Sequence, residues 1–334
     1  MSEIRERDYL FDNLKAVLIM LVVFGHFCFN ARQFPVMAGI TNMIYSFHMP
    51  LFIFISGYFS KSIRSQRKND VLHLLIPYLV LELIHYAYTR LTGLGEGKLN
   101  PVQPTYQNWY LLSLFFWRLL IPYFGQVRKA TGLIIMTILA LGAGFISEFN
   151  TFLAIYRTIF FMSFFVMGYY CDDLKAVMAR FNRYRLLMIS GFIISMCIIF
   201  LISSKNAAWA DRLLYGWLPI FGYEHHVSFL FMRAFALISS TCICFCFCFM
   251  IPSGKNFLSG FGQNTLYVFL FHMFLVWPLG HLIIPHYSPV ITEMVFLALS
   301  LVITWFLSLD IVTRILKPVV QPGTLFKPKT PINT

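Results

Sequence analysis

Apolar runs of membrane-spanning length recur along almost the whole chain, and that repetition restricts the fold more than any motif does. A helix needs about 20 mostly apolar residues to cross a bilayer, within a range of about 17–25. Ten segments meet the test, at roughly 13–31, 43–60, 71–91, 109–125, 131–147, 151–170, 185–203, 228–251, 264–284 and 290–310. Prolines and glycines mark the gaps, as at Asn100-Pro101 and Pro252-Ser253-Gly254, and no gap is long enough for a second domain. The expected fold is an all-α integral membrane protein of about ten transmembrane helices, one domain over residues 1–334. Composition agrees, with 58% of residues apolar and 12% charged, against about 45–50% and about 25% in ordinary globular domains. A typical soluble domain is excluded. No cleavable signal peptide is expected, because Met1 to Lys15 mixes both charges and no small-residue cleavage site follows.

The net charge of +12 changes meaning once the cations are sorted by side. With the N-terminus in the cytoplasm, eighteen of the 26 Lys and Arg residues fall on cytoplasmic segments. Only Arg32, Lys98, Lys205 and Arg212 fall outside, and Arg90, Arg118, Arg157 and Arg233 lie within or at the ends of spans. This positive-inside asymmetry predicts that both termini are cytoplasmic. It also makes the charge a membrane-orientation signal, so no nucleic-acid partner is expected. The run Cys242-Ile-Cys244-Phe-Cys246-Phe-Cys248 reads as small packing residues, because alternate residues of a helix face different directions. No metal is expected there.

Ionisable groups inside a bilayer are expensive and mark function. This chain places His26, His48, Glu82, His85, Arg118, Arg157, Arg233 and His272 within predicted spans. Their depths fall in one layer, from the bilayer centre toward the outer face, which favours a polar pocket opening outward. Lys15 differs, lying at the cytoplasmic mouth of the first span, eleven residues before His26. Eleven residues make about three turns with a remainder near 20°, so the two share a helix face about 16 Å apart. A cation suits anionic phosphates, and a neutral imidazole suits proton abstraction or acyl transfer. Each residue alone has a plain structural explanation. Lysines snorkel, membrane histidines bridge helices, and the arginines can pair with Glu82 or with carbonyls. The functional case rests on the set.

The text itself carries a resemblance. The segment Arg7-Asp8-Tyr9-Leu10-Phe11-Asp12-Asn13-Leu14-Lys15 through Val22-Val23-Phe24-Gly25-His26 resembles the start of the membrane-bound acyltransferase family 3 proteins. That family's signature of Arg or Lys, ten residues, then His is matched by Lys15 and His26. The block Tyr45-Ser46-Phe47-His48-Met49-Pro50 through Ser56-Gly57-Tyr58 is similar to its fucose 4-O-acetylase-like branch. Asn108-Trp109-Tyr110-Leu111 and Gly262-Gln263-Asn264-Thr265-Leu266-Tyr267 through Phe271-His272 resemble two further blocks. The likeness runs from about residue 7 to 309. One departure is the spacing of Lys61, Arg64, Arg67 and Lys68, where many relatives carry Arg-x-Arg.

The resemblance implies an O-acetyltransferase, multi-pass in the inner (plasma) membrane. It would move acetyl from cytoplasmic acetyl-CoA to a hydroxyl of a cell-surface or lipid-linked glycan. No permanently bound cofactor is implied. His26 is the expected catalytic centre, as general base or as transient acyl carrier, with His48 and His272 supporting it. Lys15, Asp12 and Arg64 are expected at the donor, and Arg118, Arg157, Arg233 and Glu82 at the acceptor. Trp209 and Trp217 suit either a sugar platform or an interfacial aromatic belt. The competing class is a transporter or flippase for a polar lipid or glycan precursor, which would also bury cations.

Overall fold

The computed structural model describes residues 7–61, 70–94, 98–145, 152–206, 208, 214, 226–284 and 286–322. Among the described residues, 82% are helical and none is in a strand. Arg64, Trp209 and Trp217 lie outside the described residues.

Helix α1 (Tyr9–Asn30) is the spine. Asp8 caps it, its carboxylate accepting from the Leu10 N–H at 3.1 Å, and Leu14, Leu18, Ile19, Val23 and Phe27 are fully enclosed. The second span comprises α2 (Pro35–Tyr45) and α3 (His48–Tyr58). Pro35 opens it at the first helical position, where its missing N–H costs nothing. The span therefore begins earlier than the apolar count placed it. A π-turn, Val71–Leu75, leads into α4 (Ile76–Thr92). Next come α5 (Trp109–Phe124), α6 (Lys129–Gly142) and α7 (Ile155–Tyr170). The short α8 (Leu174–Phe181) continues into α9 (Arg185–Lys205), and α10 (His226–Cys248) follows. After the short α11 (Leu258–Phe261) come α12 (Thr265–Phe271) and α13 (Met273–Ile283), joined at His272 with a bend of 50°. Helices α14 (Pro289–Ser308) and α15 (Asp310–Val320) complete the described chain.

All ten expected segments contain helix, but not every one reaches the length of a full crossing. Among the described residues, seven helices are long and apolar enough to span a membrane, or eight with the bent pair α12–α13 taken as one. The difference lies in α5 and α6, with 16 and 14 residues. Sixteen residues rise about 24 Å, short of a hydrocarbon core about 30 Å thick. Tyr106, in a left-handed backbone conformation, precedes α5, and Gly125 closes it just after Pro122.

Helices α3 and α7 approach each other backbone to backbone. A Cβ at Gly57 would collide with the Phe165 carbonyl, and one at Gly168 with the Phe54 carbonyl. Backbone meets backbone here, so no side chain can swing aside. Gly168→Ala is expected to cost about 1–3 kcal/mol, read as a lower melting temperature in detergent and lower abundance in membranes. The sulfurs of the cysteine run serve packing: Cys244 contacts the Phe47 carbonyl, Cys248 the Cys244 carbonyl and Cys246 the Met188 sulfur.

Candidate active site

At its first turns α1 carries a line of charges. The Asp12 carboxylate accepts from Arg7 Nε at 2.6 Å and from Lys15 Nζ at 3.1 Å. Asn13, fully buried, anchors the same turn. Its amide donates to the Pro252 and Gly254 carbonyls and accepts from Ser259 Oγ. Lys15 then opens on a cavity of about 280 Å³, shared with Arg118, Ser56, Tyr110, Thr265 and Phe269. Arg118 is held by Asp70 at 3.0 Å. Two cations, each aimed by a carboxylate, thus face one cavity.

Farther along the same face of α1, His26 lines a second cavity of about 320 Å³. His48, Tyr45, Arg157, Trp109, Tyr106 and Trp277 line it as well. His26 Nδ1 lies 3.1 Å from Tyr45 Oη. The His48 Nδ1–H donates to the Ile44 carbonyl at 2.8 Å, and the His272 Nδ1–H to Val268 at 2.9 Å. Those bonds fix the tautomer of both rings, so that Nε2 carries the lone pair in the neutral form. The Arg157 guanidinium stacks on Trp109, 5.0 Å from its centroid. Apolar and aromatic walls with a few convergent polar groups are the usual form of a small-molecule site.

The rings and the cation gather by long-range packing. The bend after Phe271 brings His272 beside His26, with ring centroids 5.1 Å apart. The break between α2 and α3 lets Tyr45 and His48 share one wall, their rings 4.7 Å apart. Helix α7 delivers Arg157 opposite.

The structure sorts the expected site residues into groups. His26, His48 and Arg157 come together as expected, whereas His272 is fully buried behind His26 and outside the cavity lining. Its ring packs against that of His26. Arg118 joins Lys15 rather than the histidines, because α5 runs from the His26 cavity, at Trp109, to the Lys15 cavity. Arg233 and Glu82 lie outside the linings of both cavities. Arg233 is fully buried, donates to Tyr156 Oη at 2.9 Å and stacks on Phe160. Glu82 accepts from the Thr105 N–H and hydroxyl and from the Asn108 amide, at 2.7–2.9 Å. That carboxylate clamps the turn in which Tyr106 adopts its strained left-handed conformation with φ 45°. Glu82→Ala is accordingly expected to cost about 3 kcal/mol by stranding buried donors. A thermal melt would show this as a lower midpoint. His85 is likewise structural, bonded to the Leu81 carbonyl and stacked on Phe274 at 4.2 Å.

Sequence reasoning passed over Tyr45, Tyr106, Trp109, Trp277 and Phe269 as site residues. For Trp109 a signal existed, since the Asn108-Trp109-Tyr110 block splits three ways. Asn108 goes to Glu82, Trp109 to the His26 cavity and Tyr110 to the Lys15 cavity. Aromatic residues are otherwise too numerous here, at 18% of the chain, for composition to single any out.

Neither the curated proteins nor the solved structures include a match to this chain. A family model does match, that of the acyltransferase domain of acyltransferase family 3, over residues 8–311. Those limits run from the cap of α1 to the start of α15, so they enclose Lys15, His26 and both cavities. With a cation and a histidine on one helix and nearly the whole chain matched, the protein belongs to acyltransferase family 3 and is a multi-pass membrane acyltransferase.

Proposed function

We propose that the protein is an O-acetyltransferase of the fucose 4-O-acetylase-like branch, acting in the plasma membrane on a cell-surface or lipid-linked glycan. The donor is acetyl-CoA, presented from the cytoplasm. One observation carries the reading: Lys15 and His26 project from a single helix into two cavities that adjoin at Phe269. Lys15 and Arg118 suit the phosphates of the donor, and Asp12 holds Lys15 in place. Trp109 and Trp277 give the acceptor cavity apolar walls, and Arg157 places a cation beside them. The positive-inside asymmetry supports two cytoplasmic termini, with α5 and α6 as shorter crossings that bring the count to ten. The transporter reading finds no support in the family match.

In the base form of His26, its Nδ1–H donates to Tyr45 Oη, and Nε2 presents the lone pair. Nε2 takes the proton of the acceptor hydroxyl as that oxygen attacks the thioester carbonyl. A carbon–oxygen bond forms and the carbon–sulfur bond breaks. Coenzyme A leaves as the thiolate and regains the proton from His26, giving the free thiol and an O-acetyl ester. His48, with Nδ1–H committed to a carbonyl, offers Nε2 as an acceptor that orients the incoming hydroxyl. Arg157 is the cation placed to stabilise the developing oxyanion.

The test incubates membranes containing the protein with acetyl-labelled CoA and with separated glycan and lipid-linked fractions. Base-labile label in one fraction, absent from membranes lacking the protein, is the expected result. Label in neither fraction overturns the reading.

A further inference from the structure

Phe269 lines both cavities. It sits on the last turn of α12, three residues before the bend at His272, and is 5% exposed. Its ring centroid lies 5.0 Å from that of Tyr110, 6.4 Å from Phe52 and 6.2 Å from His272. Phe269 is the residue common to the two linings, so the cavities approach each other there. Along α1, Lys15 and His26 stand about 16 Å apart, and a thioester drawn from one to the other has to pass this ring. Tyr110, on the Lys15 side, bonds to Ser56 at 2.5 Å and is thereby held in place. Among the aromatic residues here, Phe269 is the one that faces both spaces and sits beside a bend.

We propose that Phe269 is a positioning residue that partitions the donor cavity from the acceptor cavity in the resting protein and is displaced by the thioester arm. The role in catalysis rests on the acyl-transfer reading above. The partition itself does not. Without the ring, the two cavities become continuous, so solvent and small solutes entering on the Lys15 side reach the histidines. Water then competes with the acceptor for the thioester: its carbon–sulfur bond breaks, and the acetyl group leaves as acetate beside free coenzyme A.

Two measurements on the full chain in sealed membrane vesicles test this. Met49 lines the His26 cavity and not the Lys15 cavity, so Met49→Cys reports access. The seven native cysteines, common to all variants, give the background. A charged methanethiosulfonate added on the Lys15 side is expected to label Cys at this site at least about tenfold faster when Phe269→Ala is present. In parallel, acceptor-independent hydrolysis of acetyl-CoA should rise at least about tenfold relative to transfer. Phe269→Leu, which keeps apolar bulk, should fall between, and it carries both measurements if the alanine variant does not accumulate. Equal labelling with and without the ring overturns the partition. So does an unchanged ratio of hydrolysis to transfer in a variant that still transfers. Faster labelling in a protein whose wild type turns over no acetyl-CoA leaves the partition standing and removes the acyl-transfer reading instead.

Discussion

His26→Ala is expected to lower the rate of acetyl transfer by about 10²–10⁴, the usual contribution of a general base. Of the three histidines proposed for the chemistry, His26 alone is both partly exposed and part of a cavity wall; His48 is 2% exposed and His272 fully buried. The loss should fall on kcat, because donor contacts at Lys15 and Arg118 lie in the other cavity. His26→Gln preserves size and hydrogen bonding without a base of suitable strength, and it should fare no better. Tyr45→Phe removes the partner of Nδ1 and should cost about tenfold, the worth of one hydrogen bond of about 1–1.5 kcal/mol. The comparison uses initial rates of label transfer at saturating acetyl-CoA, with protein amounts matched. Retention of more than a tenth of wild-type activity by His26→Ala would remove this residue from the proton transfer.

Lys15→Ala should show the opposite kinetic signature, a raised KM for acetyl-CoA with kcat little changed. A hydrogen bond to a charged group is worth about 1.5–3 kcal/mol, which corresponds to a rise of about 10- to 150-fold. Lys15→Arg retains the charge and should recover most of the affinity. Because Lys15 is only partly buried, with its side chain 24% exposed, the attraction should weaken as salt is raised. In the alanine variant that salt dependence should shrink. Asp12 complicates the substitution, since losing Lys15 leaves its carboxylate with Arg7 alone. Lys15→Met paired with Asp12→Asn separates the loss of a donor contact from an uncompensated carboxylate. A KM that stays at the wild-type value in all three variants would place donor binding elsewhere.

Much of the molecule was legible because a membrane imposes one-dimensional rules. Apolar length marks helices, and each of the ten runs contains helix here. Helical periodicity alone put Lys15 and His26 on one face of α1. What a window of apolar residues does not convey is where a helix shortens, breaks or bends. The break between α2 and α3 and the 50° bend at His272 both fall inside apolar windows and leave no mark on their hydropathy. Depth counting likewise grouped Glu82, Arg233 and Arg118 with the histidines, since all lie at similar heights. Height carries no azimuth. Glu82 turns toward the Thr105 turn, Arg233 toward Tyr156, and Arg118 toward Asp70, each bonding where packing supplies a partner.

The sequence by itself therefore determined that the chain is a helical membrane protein and which helix carries the cation and the histidine. Both follow from local rules of burial cost and helical repeat. Only the tertiary structure decided that Tyr45, His48 and Arg157 meet His26 while Lys15 and Arg118 meet elsewhere, with Phe269 between them. That sorting depends on how α2, α3, α5, α7 and α12 cross α1 and one another. Crossings are set by close contacts between residues far apart in the chain, such as Gly57 and Gly168 against opposing backbones. No local pattern encodes them.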